Sequence, residues 1–333
     1  MSLKLPELGL SGCSAKVGSR DLLKLLRLPY PDDIALLAPD SNSLSVVESL
    51  YTSIDTLLPM TRNPSSFARI AVTHSLADLY AIGATPTDAC VSFGLDNESM
   101  KNGDGQSILQ GAYSTLKEAD VKLCKAHTFR SNETQITIAV TGKLEKPLKA
   151  MELGKDYALI LTKEIGAGIG CHLGWINNAT ALVSACEQTM LHGHGAAAVD
   201  IINACHIGTT DISGFGLLGH LAILSESGKC EICVRASDIP FVEGYPQLPT
   251  RFPNNCSAQR NQEDFDDLCS IKCSLPDWLI NLLYNAETAG PIACVVNLDS
   301  VQEFLAKLHS KGFSQAKQVG FVQCTGISRV TVE

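Results

Sequence analysis

Residues 209–221 read TTDISGFGLLGHL, and this stretch says most about the fold and the chemistry of the chain. Asp211 follows an apolar segment, and small polar residues with three glycines then form a tight turn that leads into a helix. The glycines Gly214, Gly216 and Gly219 match the spacing G-x-G-x-x-G, which is a weak indication by itself. No acidic residue follows at the position that binds ribose in a βαβ unit, and the sequence contains no Gly-Lys-Ser/Thr loop. A Rossmann site and a P-loop are therefore not expected.

Further aspartates stand at the ends of other apolar segments. Asp32 and Asp33 precede IALLA, Asp55 ends a strand-like run at 44–55, and Asp78 lies within a predicted helix. An Asp in such a place is more often a helix cap or a turn residue than a ligand. Several carboxylates together with glycine-rich turns are, however, what magnesium-bound phosphates require. The set as a whole therefore indicates a phosphate site more strongly than any one member does.

Residues 64–82 predict the clearest helix of the first half. Pro64 stands near its start and Gly83 follows its end. His74 and Asp78 are four residues apart, so they share one face of this helix. The other elements predicted in this half are helices at 19–28 and 105–120 and strands at 44–55, 86–94 and 134–142.

A polar stretch at 143–155, interrupted by Pro147, predicts a boundary between two domains, residues 1–150 and 151–333. The second domain begins with an apolar strand at 157–162. Strands and helices in both halves indicate a layered α/β or α+β architecture. The later elements predicted are helices around 177–191 and 195–204, loops over 244–278 and a strand–helix–strand pattern over 291–333.

Composition excludes several classes of protein. Of 333 residues, 45% are hydrophobic and 18% are charged, which is an ordinary globular balance, and the net charge of −9 argues against a general nucleic-acid binder. No stretch approaches the roughly 18 apolar residues of a membrane helix. The N-terminal residues have no long apolar run and do not resemble a signal peptide, so a cytoplasmic protein without a membrane partner is expected.

Thirteen cysteines are scattered along the chain. The odd number and the chain length argue against a disulfide framework and favour reduced, mostly buried thiols. Cys230 and Cys233 form one C-x-x-C, and a zinc site would need Cys269 and Cys273 as its second pair. The surrounding sequence KCEICVRAS alternates as a strand does, so zinc is the less favoured interpretation.

The order and spacing of these features resemble those of the selenophosphate synthetases (selenide, water dikinases) over nearly the whole chain. The most specific match is 209–221, close to the family pattern T-D-hydrophobic-T/S-G-F-G-hydrophobic-L-G-H, and the helix at 69–86 comes next. The Cys-x-x-Lys of residues 13–16 is short but stands in the family's place. It favours this family over related enzymes such as aminoimidazole-ribotide synthetase, thiamine-monophosphate kinase and a hydrogenase maturation protein. The matching segments are GCSAKV (12–17), DDIALL (32–37), SID (53–55), RIAVTHSLADLYAIGATP (69–86), AVTG (139–142), LTKEIGAG (161–168), TTDISGFGLLGHL (209–221), RN (260–261) and ETAG (287–290).

The resemblance implies a two-domain, aminoimidazole-ribotide synthetase-like fold whose N-terminal domain contributes to a dimeric β-barrel. It also implies an ATP-dependent phosphotransferase that makes selenophosphate from selenide, ATP and water and releases AMP and phosphate. The implied ions are Mg²⁺ and, as a further candidate, K⁺. The implied partners are ATP, selenide and a second copy of the chain.

The family's functional residues map onto this chain one by one. Cys13 and Lys16 stand at the catalytic positions, on a flexible segment over residues 1–20 that we expect to close over bound ATP. The metal ligands implied are Asp33, Asp55, Asp78 and Asp211. The nucleotide contacts implied are Lys16, Asp32, Asp55, Asp78, Thr210 and a turn formed by Lys125, Ala126 and His127.

Some residues depart from the family pattern near the nucleotide. His74 replaces the usual Asn, Lys125 and Ala126 replace two glycines, and Pro291 follows ETAG where the family has a second glycine. Two other interpretations therefore stay open: a non-catalytic or altered-function paralogue that binds nucleotide and dimerises, and a different small-molecule kinase of the same superfamily.

Overall fold

The computed structural model describes residues 50–144, 151–245 and 257–333. Several sequence predictions fall on residues outside these ranges. They concern the predicted helix at 19–28, the segment 1–20, and the site residues Cys13, Lys16, Asp32 and Asp33.

The described residues form two sheets with helices packed against them. The helices are α1 (Pro64–Ala81), α2 (Asp104–Glu118), α3 (Ala167–Ile176), α4 (Thr180–Leu191), α5 (Gly195–Cys205), α6 (Gly216–Gly228), α7 (Ser257–Phe265), α8 (Asp277–Tyr284) and α9 (Val301–Ser310). The strands are β1 (Leu50–Leu57), β2 (Thr85–Leu95), β3 (Lys122–Arg130), β4 (Gln135–Lys143), β5 (Asp156–Leu161), β6 (His206–Asp211), β7 (Glu231–Val234), β8 (Cys269–Ile271), β9 (Ile292–Asn297), β10 (Lys317–Gln323) and β11 (Arg329–Val332).

The first sheet has the strand order β1-β4-β2-β3, with antiparallel pairs except for the parallel pair β2–β3. Strands β1 and β4 alternate between a buried and an exposed face, as in a sheet covered on one side, whereas the edge strand β3 is exposed. On β1, Leu57 lies in the core while Leu50 and Ile54 are exposed. Helices α1 and α2 cover the buried face.

The second sheet has the order β6-β9-β5-β10-β7-β11-β8. It is buried on both faces, which explains the continuous apolar run of β5. Ala158 and Ile160 belong to a core that continues into the first sheet and α1, whereas Tyr157 and Leu159 belong to a second core with α6 and α8. The two halves of the chain thus share one apolar core.

Polar contacts from α1 reinforce this shared core. Asn203 Nδ2 donates to the Gly83 carbonyl at 2.9 Å, and the Thr209 hydroxyl donates to the Ala81 carbonyl. The Ala289 N–H donates to His74 Nδ1 at 3.0 Å. These bonds fix the C-terminal half of α1 against residues that come more than a hundred positions later in the chain.

The predicted fold class is confirmed: both halves mix helices and strands in layers. The predicted helix at 64–82 is confirmed, with Asn63 as its side-chain cap. The prediction of loops over 244–278 is wrong at α7, whose sequence SAQRNQEDF is mostly polar. Its buried side chains, Ala258, Asn261 and Phe265, recur at helical spacing, and the polar residues between them concealed this pattern. Among the described residues, no helix has the length and apolarity needed to span a membrane.

Candidate active site

Strand β1 and helix α1 bring together two of the predicted aspartates. The alternation of β1 points Ser53 and Asp55 toward α1, and the helical spacing places His74 and Asp78 on the facing side. The Ser53 hydroxyl donates to Asp78 Oδ2, and Asp55 Oδ1 lies 3.8 Å from His74 Nε2. This group joins a strand and a helix that the sequence already placed side by side.

Asp211 ends β6 at the start of the glycine-rich turn, and its side chain is buried. His220, one turn into α6, holds that turn in place. His220 Nε2 accepts the Phe215 N–H at 3.3 Å and lies 3.2 Å from the Ser213 hydroxyl oxygen. The last histidine of the GLLGH motif therefore stabilises the turn from inside the protein.

The same turn is fixed from a second direction by Asn261. This side chain is fully buried, and its Nδ2 donates to the carbonyls of Gly214 and Tyr284 at 3.1 and 2.8 Å. Gly216 has a φ of +69° and packs against the Tyr284 backbone so closely that a Cβ would clash with it. The RN and GFG motifs, 47 residues apart, thus meet in one structural unit.

Residues 287–290, the ETAG segment, form a loop that touches each of these parts, and its first residue, Glu287, is one that the sequence did not single out. Glu287 is buried, and its carboxylate accepts the N–H groups of Gly166 and Gly168 at 2.5 and 2.9 Å. Its own N–H donates to the Ser213 carbonyl at 2.9 Å. Burial raises the pKa of Glu287 to about 7, although the bonds from Gly168 and Gly166 oppose that shift. The signal that could have revealed it is an acidic side chain in the short stretch NAETAGP (285–291), directly before the buried strand β9.

A second buried charged group lies behind this loop. Lys163 donates to the carbonyls of Thr189 and His192, each at 2.9 Å, at the end of α4. Burial lowers its pKa to about 7. Its neighbour Thr162 accepts the Ile292 N–H at 2.8 Å and contacts His194 Nε2 at 2.8 Å, and burial lowers the pKa of His194 well below its usual range. The bond from Ile292 to Thr162 anchors the end of the Glu287 loop that leads into β9.

The carboxylates meet the first requirement of a metal site. One oxygen of Asp55 and one of Asp211, the Oδ2 atom in each case, are buried and have no hydrogen-bond partner among the described residues. A buried carboxylate oxygen without a donor is costly unless a cation binds there. Within residues 50–144, 151–245 and 257–333, no three His, Cys, Asp or Glu side chains are yet grouped as a complete metal site. The predicted ligands within these ranges offer carboxylate oxygens, the kind of donor that Mg²⁺ prefers.

Lys125, Ala126 and His127 do not lie in a turn, so that prediction is wrong. They lie in the exposed edge strand β3, directly after a bulge at which Ala89 and Cys90 pair with Leu123 and Lys125. The strand is therefore irregular at the place where the resemblance implied a turn, but the irregularity is a β-bulge. Neither Lys125 nor Ala126 has a positive φ, so losing the two glycines there brings no left-handed strain.

Two further predictions concern Thr210 and the cysteines. The Thr210 hydroxyl donates to the Asp211 carbonyl at 3.1 Å, so it stands directly beside the predicted metal ligand. Cys233 lies on β7 and Cys230 directly precedes that strand, where burial raises the pKa of its thiol to about 12. Neither they nor Cys269 and Cys273 belong to a metal-binding group among the described residues.

The chain belongs to the family of AIR synthase related proteins. The family's N-terminal domain matches residues 31–144, and its C-terminal domain matches residues 157–333. This identifies the class to which the two sheets and the glycine-rich turn belong.

Curated relatives narrow the resemblance further. The chain is 28% identical over 347 residues to the selenide, water dikinase of Pelobacter propionicus, covering 97% of this chain and 96% of that protein. It is 29% identical over 329 residues to selenide, water dikinase 2 of Peptoclostridium acidaminophilum, covering 94% and 92%. The resemblance noted from the sequence motifs is thus confirmed over almost the full length of these relatives.

Solved structures share the fold at low sequence identity. Thiamine-monophosphate kinase from Stenotrophomonas maltophilia superposes with a TM-score of 0.66 at 18% identity, covering 100% of this chain and 98% of that one. A second neighbour is titled "AaThiL complexed with AMPPCP and TMP", with a TM-score of 0.65, 14% identity, and 95% and 93% coverage. At this identity the superposition supports the fold alone.

Proposed function

We propose that this protein is a selenide, water dikinase: it converts selenide, ATP and water into selenophosphate, AMP and phosphate. The observation that carries the proposal is its similarity to proteins of that name over more than nine tenths of both sequences. A likeness of this extent covers both domains, so it favours the complete enzyme over a shared nucleotide-binding part.

The proposed metal site holds Mg²⁺ through Asp33, Asp55, Asp78 and Asp211. Its support is the pair of buried, unpartnered oxygens on Asp55 and Asp211. Bound Mg²⁺ would offset the charge of the ATP phosphates while they are transferred. The protein's own part is to hold the carboxylates in place: the Ser53 hydroxyl orients Asp78, and the turn held by His220 orients Asp211. K⁺ is proposed as a further ion of the reaction.

The nucleotide is proposed to contact Asp32, Lys16, Thr210 and the β3 residues Lys125, Ala126 and His127. The exposure of β3 supports this, because a ligand can reach these side chains and Lys125 carries a positive charge. Two structural neighbours were solved with AMPPCP and with ATP, so this fold accommodates adenine nucleotides.

Cys13 and Lys16 are proposed as the catalytic pair. A thiolate is a strong nucleophile, and a lysine three residues away can lower the thiol pKa and reach a phosphate. We propose that residues 1–20 close over bound ATP and exclude water from the reaction. Limited proteolysis of the full chain tests closure: ATP should protect this segment, and equal cleavage with and without ATP would rule closure out.

A homodimer formed through the first sheet, and a division of the chain at about residue 150, complete the proposal. The support for the dimer is the outer face of β1, where Leu50 and Ile54 are 56% and 64% exposed. Apolar side chains that recur on one sheet face are typical of an association surface. We also propose a cytoplasmic location.

Product analysis tests the proposed activity. The purified protein is incubated anaerobically with MgATP, with and without selenide, and the nucleotides are separated by anion-exchange chromatography. AMP that forms in proportion to selenide supports a dikinase. ADP as the end product would indicate a simple kinase of the same family, and nucleotide binding without turnover would indicate a non-catalytic paralogue.

A further inference from the structure

His74 links the two halves of the proposed metal site. It lies on α1, is 3% exposed, and stands between Asp55 of β1 and the loop that carries Glu287. The Ala289 N–H donates to its Nδ1 at 3.0 Å, so Nδ1 carries no proton. In the neutral ring the proton is then on Nε2, the nitrogen that faces Asp55 Oδ1 at 3.8 Å.

The donor in this contact is held rigidly by the C-terminal half. Ala289 has a φ of +47°, which a non-glycine residue adopts only when its surroundings impose it. Those surroundings are the double hydrogen bond of Glu287 to the Gly166–Gly168 segment and the close approach of Gly290 to the Ile212 carbonyl, which leaves no space for a Cβ. The Ala289 N–H therefore has a fixed direction.

The same loop also reaches Asp211. The Ile212 N–H donates to the Pro291 carbonyl at 2.8 Å. The residue next to Asp211 is therefore bonded to the segment that carries Ala289. A continuous path runs from Asp211 through Pro291 and Ala289 to His74 and Asp55. This path joins the two aspartates that each hold a buried oxygen without a partner.

We propose that His74 is a positioning residue: by accepting the Ala289 N–H it presents Nε2–H to Asp55, and it thereby sets Asp55 relative to Asp211 for metal binding. The inference rests on the proposed Mg²⁺ site and adds to it a residue that touches neither metal nor nucleotide. Its role requires an acceptor at the Nδ1 position, for the Ala289 N–H, and an N–H at the Nε2 position, facing Asp55.

The test is the Mn²⁺ affinity of the full chain in the presence of a non-hydrolysable ATP analogue. The electron paramagnetic resonance signal of free Mn²⁺ measures this affinity. His74→Leu should weaken Mn²⁺ binding roughly tenfold, as loss of an outer contact to a ligand commonly does. The matched control is Ser75→Ala, the adjacent buried residue whose hydroxyl has no partner among the described residues, and it should bind Mn²⁺ as the wild type does.

Equal Mn²⁺ affinity in wild type and His74→Leu would overturn the proposal, as would a wild type that binds no Mn²⁺. Nitrogen-15 NMR of the wild-type histidines supplies a reading that needs no variant. The proposal requires an unprotonated Nδ1 and a protonated Nε2 at His74, and the opposite tautomer contradicts it. Because selenide is absent from both measurements, a wild type that binds Mn²⁺ but forms no selenophosphate would refute the proposed function and leave this inference standing.

Discussion

Asp211 combines burial with an oxygen that meets no donor in the described part of the chain. Such a carboxylate lowers stability in the absence of a cation, because one of its oxygens has lost solvent without gaining a hydrogen-bond donor. Removal of the Asp211 charge should therefore lower turnover without lowering the free energy of unfolding.

Asp211→Asn should lower selenide-dependent turnover by at least ~100-fold, because several kcal/mol of charge stabilisation through the metal are lost. The free energy of unfolding without metal should stay equal or rise. Steady-state assays and urea denaturation measure the two effects. Asp299→Asn, at an exposed position, is the control and should change neither. A large loss of stability in Asp211→Asn would show that the carboxylate has a structural partner instead.

Glu287 gives a pH dependence of stability whose sign follows from its burial. The folded-state pKa is raised from 4.5 to about 7, so this group contributes stability that is fully present below pH 4.5 and is lost as the pH rises through about 7. Between pH 5 and 7 the wild type should lose on the order of 2 kcal/mol that Glu287→Gln does not lose. Denaturation curves at the two pH values measure this, with the exposed Glu263→Gln as control. Parallel pH profiles for wild type and Glu287→Gln would contradict the account.

For individual residues, the sequence indicated which aspartates form the proposed site but not which other residues hold them in place. Asp55 and Asp211 follow apolar segments and Asp78 shares a helix face with His74, patterns visible in the sequence alone. The Glu287 bonds to Gly166 and Gly168 join positions about 120 residues apart, and no local pattern predicts such a pairing. The structure also shows how the chain accommodates Pro291. Proline lacks a backbone N–H, but the bond to this turn uses the Pro291 carbonyl, which accepts the Ile212 N–H.

Among the elements, the turn between β6 and α6 depends on a helix that sequence reasoning left out. Helix α7 carries Asn261, which holds the carbonyls of Gly214 and Tyr284. Because α7 is short and mostly polar, its composition resembled that of a loop, and only burial of its inner face identifies it. By contrast, α1 is long, capped at Asn63 and followed by Gly83, so local signals sufficed to predict it.

Asn261→Ala should reduce the free energy of unfolding by about 3 kcal/mol, since two buried carbonyls lose their donor. It should also lower turnover, because the turn that orients Asp211 loosens. Urea denaturation and the product assay measure these effects. Asn281→Ala removes an amide that bonds only within α8, to the Asp277 carbonyl, and it should cost less than about 1 kcal/mol. Equal effects of the two substitutions would contradict the role given to Asn261.

In the whole molecule, the two sheets share a core, and hydrogen bonds from α1 reach residues of the second half. The layered fold class followed from the mixture of elements in each half. The strand order of the second sheet could not be predicted, because its neighbours β6, β9 and β5 come from distant parts of the sequence. The segment with the catalytic candidates Cys13 and Lys16 stays a sequence prediction.

The proposed dimer forms through the exposed face of the first sheet, so a charge placed on that face should prevent dimer formation. Ile54→Lys should convert a dimer into a monomer, because a charge at the centre of an apolar interface loses its solvent without gaining a partner. Light scattering coupled to size-exclusion chromatography measures the mass. Ile327→Lys changes another exposed isoleucine far along the chain, and it should leave the dimer intact. A wild-type protein that elutes as a monomer would refute the proposed dimer.

The most direct measurement of the central claim is phosphorus NMR of the wild-type protein with MgATP and selenide under anaerobic conditions. If the protein is a selenide, water dikinase, a new phosphorus resonance with selenium satellites should appear together with equal amounts of AMP and phosphate. This resonance should be absent without selenide. A spectrum that shows only ADP and phosphate, or unchanged ATP, would contradict the assignment as a selenide, water dikinase.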